Sequence, residues 1–478
     1  MEGSPNSFAW LALIAAPLII VAVYARLPRG ARVARTTAWV MLLSVMFLPS
    51  GLRLKTAGIP YLDKHRLAFL AIAAGLYLFH RERLLRRAPA HWFPRAILAI
   101  MILGVIETVR TNGDVLTFGP TVLPALTRYD IVSVTGEILL DVYLPFTIGQ
   151  RVFQGEEDVT DLLEVMSRCG LIYAPLCLFE VRFSPQLHRW VYGTHASQFL
   201  QAMRYGGFRP VVFMNHGLSV AMFMFTCFAA AVGLRGARAA GRGSLSPTVR
   251  AAVVGGVLLL SKSLAAALYS TFALLMGFVS STKALSRILL FVSLLVVIYP
   301  VTRATHLLPT AWLASQFAGV SAERADSLEY RLSNEDQLIE RWAQRPWFGW
   351  GTFGRSRIYS SWGQDMSTTD GEWIIWLGAF GVVGVCSLFA LLLAPVLRFV
   401  RHHKSVARRE AVLLGALALI VTMFAVDLLP NALSDFLPLA YAGALFTASE
   451  RCARMRRVIR RRGVSRGREA PDLVTSQA

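Results

Sequence analysis

Apolar runs long enough to cross a lipid bilayer recur along almost the whole chain, and they restrict its fold more than any other feature. Ala9–Ala25, Val211–Leu234 and Trp373–Leu397 are of the order of the ~20 residues that span a hydrocarbon core about 30 Å thick. Inside lipid a backbone amide has no water to bond, so such runs must be helices that satisfy their own hydrogen bonds. Hydrophobic residues make up 55% of the 478, more than a soluble chain of this length could hide behind polar surface. The expectation is an all-α, polytopic helical membrane protein.

Spans are expected near 8–25, 36–52, 67–79, 96–109, 130–148, 164–180, 211–233, 251–262, 264–281, 287–301, 371–397, 411–427 and 433–449. That makes about 12–13 transmembrane helices, depending on whether an early segment is re-entrant and whether 251–281 is one tilted helix or two. The formal charge of +20 lies mostly in RLPRGARVAR (26–35), HRERLLRRAPAHWFPR (80–95), RGARAAGRGSLSPTVR (235–250), RFVRHHKSVARRE (398–410) and the tail after Arg451. Basic residues in short connecting loops are the signature of the cytoplasmic face, and they meet anionic headgroups there. The charge is thereby accounted for without nucleic acid. Only RVFQGEEDVTD (151–161) is acidic on that side. The alternation puts the C-terminus inside.

The five cysteines are Cys169, Cys177, Cys227 and Cys386, all in apolar runs, and Cys452 in the basic tail. With no CxxC or HExxH spacing, neither a disulfide framework nor a zinc site is indicated, and no metal or cofactor is expected. The N-terminal run has no basic lead, so it reads as a retained helix. The chain divides into a transmembrane bundle (1–301), a large outside loop (302–370), further transmembrane helices (371–450) and a basic tail (451–478).

The large loop carries Arg303, Arg324, Arg331, Arg341, Arg345, Arg355 and Arg357 and no lysine. Positive charge outside runs against the topology bias, and arginine is the residue whose fork grips carboxylate or phosphate. Asp326–Gln344 reads as a helix, with Ser333 and Asp336 resembling a capping box that would start it near Asn334. Leu338, Ile339 and Trp342 form its apolar stripe. RPWFGWGTFG (345–354) reads as a tight aromatic turn. Asp370 and Glu372 open the next span, either as helix-start carboxylates or as a general base at the membrane surface. In the second outside loop, Arg204 and Arg209 precede an apolar run that contains Asn215 and His216. Glu107, Glu137, Asp141, Lys262 and Asp427 fall inside or near apolar spans. Such charges normally face a partner or a cavity. Glu137 and Asp141 share a helix face, and Lys262 is a candidate partner.

RYGGFRP (204–210), SKSLAAALYS (261–270), YRLSNEDQLIERWAQRPWFGWGTFG (330–354) and DGEWIIWLGAFGVVG (370–384), in this order, resemble the O-antigen ligase and Wzy-type polymerase family of bacterial envelope glycan enzymes. The resemblance covers about 200–390. It implies glycan transfer from an undecaprenyl-diphosphate carrier at the periplasmic face of the inner membrane, inverting and metal-independent, to a glycan or lipid acceptor. Arg204, Arg209 and Arg331 would hold the pyrophosphate, with Arg341 and Arg345 next, and Asp370 or Glu372 would be the base. O-antigen ligases carry a histidine where this chain has Asp370, which favours a polymerase or a ligase-like enzyme of exopolysaccharide assembly. Membrane lipids and other polysaccharide-assembly proteins are the further expected partners. The competing readings are a glycan or lipid transporter and an inactive relative that acts as a scaffold.

Overall fold

The computed structural model describes residues 3–28, 30–56, 59–85, 92–197, 199–204, 206–238, 245–278, 282–310, 322–405, 407–432 and 437–468. Among these, eight helices are long and apolar enough to cross a membrane: Ser7–Ala25, Trp92–Thr111, Arg128–Val152, Glu156–Phe183, Gly217–Gly236, Thr282–Ala304, Glu372–Ser405 and Arg408–Asp427. The chain is an all-α polytopic membrane protein. The other expected spans correspond to Val33–Phe47, Lys64–Phe79, Pro247–Leu260, Leu264–Phe278 and the start of Leu437–Arg468, whose apolar stretches are shorter. The described residues of 251–281 fall in two helices, Pro247–Leu260 and Leu264–Phe278, and not in one tilted helix. Lys262 breaks them with a left-handed φ of 54°. Three small antiparallel strand pairs, Leu54–Thr56 with Ile59–Leu62, Leu116–Phe118 with Thr121–Leu123, and Met203–Arg204 with Gly207–Phe208, decorate the loops.

The loops collect at two ends of the bundle. At the basic end, the acidic segment around 151–161 is a hub. Asp161 and Glu157 meet Arg32 at 2.9 and 3.6 Å, Asp158 meets Arg83 at 3.5 Å, and Glu156 meets Arg409 at 3.5 Å. The acidic stretch that stood out among basic loops thus bonds to arginines of three of those loops. Nearby, the Leu144–Val152 helix packs along Leu437–Arg468. Gly149 lies against the Ala440 carbonyl, Gly443 lies against that of Phe146, and the Thr447 hydroxyl donates to the Gln150 carbonyl, 297 residues away, at 2.9 Å. Small residues permit this backbone approach where lipid supplies no hydrophobic drive.

At the opposite end, residues 322–371 form a cap. Its helix, expected at Asp326–Gln344, runs Ala322–Ala343 among the described residues, twelve residues before a start near Asn334. The Ser333/Asp336 capping box is therefore not what begins it. Both residues lie mid-helix, and Asp336 instead pairs with Arg303 at 3.0 Å. Arg303 also meets Glu335 at 3.0 Å and donates to the Leu332 carbonyl at 2.9 Å, so the top of Thr282–Ala304 grips the cap helix. The helix ends before Pro346, as proline requires.

The aromatic turn after it joins a break in the next helix. Within Glu372–His402 the backbone leaves helical geometry at Gly381 (φ 64°, ψ −163°). The turn fills that gap with four hydrogen bonds. Trp350 and Gly351 donate to the Gly378 and Ala379 carbonyls at 2.8 and 2.9 Å, and Val382 and Val383 donate to the Pro346 and Trp347 carbonyls at 2.9 and 3.3 Å. Non-helical backbone in a spanning segment survives only when protein satisfies it in this way. Gly349 (φ 68°) faces the backbone of Gly378 and Ala379, and Gly381 faces that of Trp347 and Phe348. A Cβ on Gly349 would lie 2.6 Å from the Ala379 carbonyl carbon, and one on Gly381 would lie 2.4 Å from that of Trp347.

Candidate functional site at the cap

Arg331 leaves the cap helix towards the start of the broken helix. Its Nε lies 3.3 Å from Asp370 Oδ2, and its Nη1 is 3.5 Å from the Pro430 carbonyl. Both partners of the ion pair are about two-fifths exposed, at 41% and 38%. The pair is therefore reachable from water and bound only weakly, since exposed pairs contribute roughly 0–1 kcal/mol. Thr368 fixes the approach to Asp370. Its amide donates to Asn334 Oδ1 at 3.3 Å and its hydroxyl bonds that of Tyr330 at 2.9 Å.

Glu372, the first residue of the broken helix, sits deeper. One carboxylate oxygen accepts from Trp376 Nε1 at 2.9 Å, and its amide donates to the Asn431 carbonyl at 3.2 Å. Asn431 Nδ2 donates to Asp427 at 3.0 Å, and the Tyr269 hydroxyl lies 3.5 Å from the same carboxylate oxygen. Asp141 is close enough for its charge to act on Glu372. Asp141 lies in a π-helical turn, Leu139–Tyr143, where the Arg128–Val152 span widens. Such turns recur at functional sites. The expected partner Lys262 is not the one used here. Arg66, 3% exposed, holds Asp141 with two bonds of 2.6 and 2.7 Å and stands 3.8 Å from Glu137. Lys262 lies at its helix–helix turn, against Gly207. Glu107 pairs with Arg110 at 2.7 Å.

Arg341 and Arg345 stack on Trp350, their guanidinium carbons 3.4 and 4.1 Å from its ring centre. Arg345 donates to Asn112 Oδ1 at 2.6 Å and to Asp114 at 2.8 Å, and buried Arg355 reaches Asp114 at 3.1 Å. These bonds clasp the cap to the loop after Trp92–Thr111. Burial opposes ionisation of Asp114, but the Arg345 hydrogen bond and the two guanidinium charges outweigh it and hold its carboxyl below the usual range. Arg345 and Arg355 share this carboxylate and Arg341 stands beside them, so three guanidiniums gather around one carboxylate, an excess of two positive charges (3 − 1). Burial, with Arg345 and Arg355 alongside, pushes Arg341 down to about 10.

The second outside loop is arranged differently. Arg209 is buried and donates to the Lys262 carbonyl at 3.1 Å. Arg204 pairs through its backbone with Gly207, and its side chain lies outside the described residues. The helix expected from 211 starts at Gly217, with His216 Nδ1 accepting from Leu218 N at 3.1 Å. Residues 209–216 are loop because buried Glu180 captures the amides of Val211, Val212 and Leu187 at 2.8, 2.7 and 3.0 Å. Sequence reasoning missed Arg66, Glu180 and Lys64. Lys64 bonds the Val45, Leu48 and Phe213 carbonyls and caps the end of Val33–Phe47. The available signal was Lys64-His65-Arg66, a basic triplet opening an apolar run at the end where positive charge is disfavoured.

Below the cap, an apolar cavity of about 580 Å³ lies between Thr282–Ala304 and the broken helix. Phe93 and Leu397 line it, as do Pro300, Ala304 and, from the cap, Trp342. An exposed ion pair and an arginine cluster with surplus charge thus lie at the cap end of the bundle, above an apolar cleft that runs along the helices from Trp342 towards Phe93 and Leu397. No protein-family model and no curated protein matches this chain.

Proposed function

We propose that the chain is an inner-membrane glycosyltransferase of the O-antigen ligase and polymerase type, moving glycan from an undecaprenyl-diphosphate carrier in the periplasmic leaflet. The observation that carries the reading is the exposed Arg331–Asp370 pair on a cap that also roofs an apolar cavity. An amphiphilic donor needs both parts, a cavity for its polyprenyl tail and cationic forks for its diphosphate.

The pair suggests an order of events. The carrier diphosphate competes for Arg331 and frees the Asp370 carboxylate. Asp370 takes the proton of the acceptor hydroxyl, whose oxygen attacks the anomeric carbon from the face opposite the diphosphate. The new C–O bond forms as the old one breaks, the configuration inverts, and the carrier diphosphate leaves with the bond's electrons. Arg331 stabilises the charge that develops on the leaving group, and the surplus charge around Arg341 and Arg345 favours anion approach. Arg209 and Arg204 would serve from the second loop. Glu372, bonded to Trp376, is the second candidate base. The Arg66–Asp141 pair in its π-helical turn favours a second reading, transport of a glycan or lipid.

The test is polymer assembly in a deletion strain complemented with Arg331→Ala or Asp370→Asn. Each should lower assembly by about 10²-fold or more with normal membrane insertion. Full activity in both variants would sink the clamp-and-base reading. Loss of carrier-linked glycan flipping in Asp141→Asn, with transfer intact, would favour the transporter.

A further inference from the structure

The cap carries a second feature that the transfer chemistry does not use. Residues 357–367 form a hairpin. Met366 donates to the Ile358 carbonyl at 2.9 Å, Ser360 donates to that of Gln364 at 2.9 Å, and Ile358 donates to Ser367 Oγ at 2.7 Å. Its tip turns at Gly363 (φ 77°) and meets the tip of the Leu116–Leu123 hairpin. Thr121 Oγ1 donates to the Gly363 carbonyl at 2.9 Å, and Tyr359 stacks on Phe118 with ring centres 4.8 Å apart. This double anchorage holds Trp362 outward with 84% of its surface exposed.

An exposed indole at this end of a membrane protein has two physical uses. It can sit in the lipid headgroup region, or it can stack on a ligand. Headgroup tryptophans bury an apolar body beside other apolar groups. The residues beside Trp362 in sequence are polar, and Met366 and Val122 are the exposed apolar side chains of the two joined hairpins. Ser360, Ser361 and Gln364 flank it in sequence, and the exposed Arg357–Asp365 ion pair, at 2.5 Å, crosses the same hairpin. A flat exposed ring on a pre-ordered frame that also carries hydroxyl, amide and ionic groups is the chemistry that holds a sugar, the ring against its C–H face and the polar groups on its hydroxyls. Eight residues separate Trp362 from Asp370, so the two lie at most about 28 Å apart. An oligosaccharide of a few units bridges that distance.

We infer that Trp362, with Arg357 and Asp365, forms a saccharide-stacking subsite that holds the glycan chain away from the reacting end. The inference rests on the glycan-transfer reading for its ligand class, but binding can be measured without turnover. The probe is the set of size-graded oligosaccharides released by mild acid from the surface polymers of the cells that carry this chain. Purified full-length protein in nanodiscs is titrated with them by microscale thermophoresis. The expected result is binding that strengthens with chain length and weakens about three- to tenfold in Trp362→Ala. Asp365→Asn should weaken it as well, while Trp190→Ala, at an exposed tryptophan of the other outside loop, stays within about twofold of wild type. Unchanged melting of the exposed Trp362→Ala variant checks the fold. No binding by the wild-type protein, or equal binding by Trp362→Ala, overturns the subsite. So does greater quenching by brominated lipids in wild type than in Trp362→Phe, which places the ring in the bilayer. If Arg331→Ala and Asp370→Asn keep full activity while Trp362→Ala loses saccharide binding, the transfer reading fails and the subsite stands.

Discussion

Replacing Gly349 with alanine tests whether cap and membrane helix are one unit. Two costs follow from the geometry. At φ 68° an L-residue pays about 1–2 kcal/mol. The new Cβ would also sit 2.6 Å from the Ala379 carbonyl carbon and 2.7 Å from the Gly378 oxygen, both backbone atoms that cannot rotate away. The seam must open, and its four hydrogen bonds, at ~1 kcal/mol each, are weakened or lost. Loss of half of them plus the dihedral cost gives about 3–4 kcal/mol, roughly a 10²- to 10³-fold rise in the open population. Hydrogen–deuterium exchange of the detergent-solubilised protein reads this directly on peptides covering 346–354 and 378–386. Protection should fall there by that factor and stay unchanged in Glu156–Phe183. Gly206→Ala is the control. It has a similar φ of 65° but nothing within 4 Å of its Cβ, so only the same dihedral cost of about 1–2 kcal/mol applies. If Gly349→Ala loses less than tenfold protection at the seam, or no more than Gly206→Ala loses locally, the reasoning fails.

Other perturbations have equally definite expectations. Arg303→Met strips the largely covered Glu335 of its ion pair, leaving an uncompensated carboxylate at a cost of about 3 kcal/mol. Trypsin should cut the cap helix about 100-fold faster, and adding Glu335→Leu should restore most of the resistance. Glu180→Gln replaces a carboxylate that accepts three amides with a group that has one acceptor oxygen, so thermal stability should drop by about 3 kcal/mol with no new cleavage in the cap. His188 accepts from Ser50 N at Nε2 and bonds the Thr194 carbonyl at Nδ1, and burial lowers its pKa from 6.5 to about 4. Its contribution is therefore complete above pH 6.5. As the pH falls from 6.5 towards 4, the unfolded chain takes a proton that the folded one refuses, and stability is lost. The wild-type melting temperature should decline over that window, and His188→Gln should flatten the decline.

Much of the architecture was legible in the sequence because lipid dictates it. Apolar length gave the helices, and basic loops gathered at one end. What depended on pairing was not legible. Arg66 and Asp141 are 75 residues apart, and Arg345 and Asp114 are 231 apart. No local pattern links them, so Lys262 looked the better partner. RPWFGWG and GAFGVVG are each visible as motifs, but the seam they share is a tertiary contact that neither segment announces by itself. Ser333 and Asp336 were misread because a local cap signal is a weak prior, and a tertiary ion pair with Arg303 had claimed the acid. Arg331 beside Asp370 could be anticipated because both belong to one loop and its closing helix.

The contact between Leu144–Val152 and Leu437–Arg468 also fixes a schedule for assembly. Gln150 meets Thr447 only after 297 further residues have been synthesised. At about 5–20 residues per second the ribosome takes roughly 15–60 s to supply them. Throughout that interval the groove around Gly149 faces lipid, or a membrane chaperone, with no helix to fill it. The early helices must therefore be stable enough to wait and loose enough to admit a latecomer. A chain stalled before Leu437 would present that groove to the first small-residue helix that drifts past.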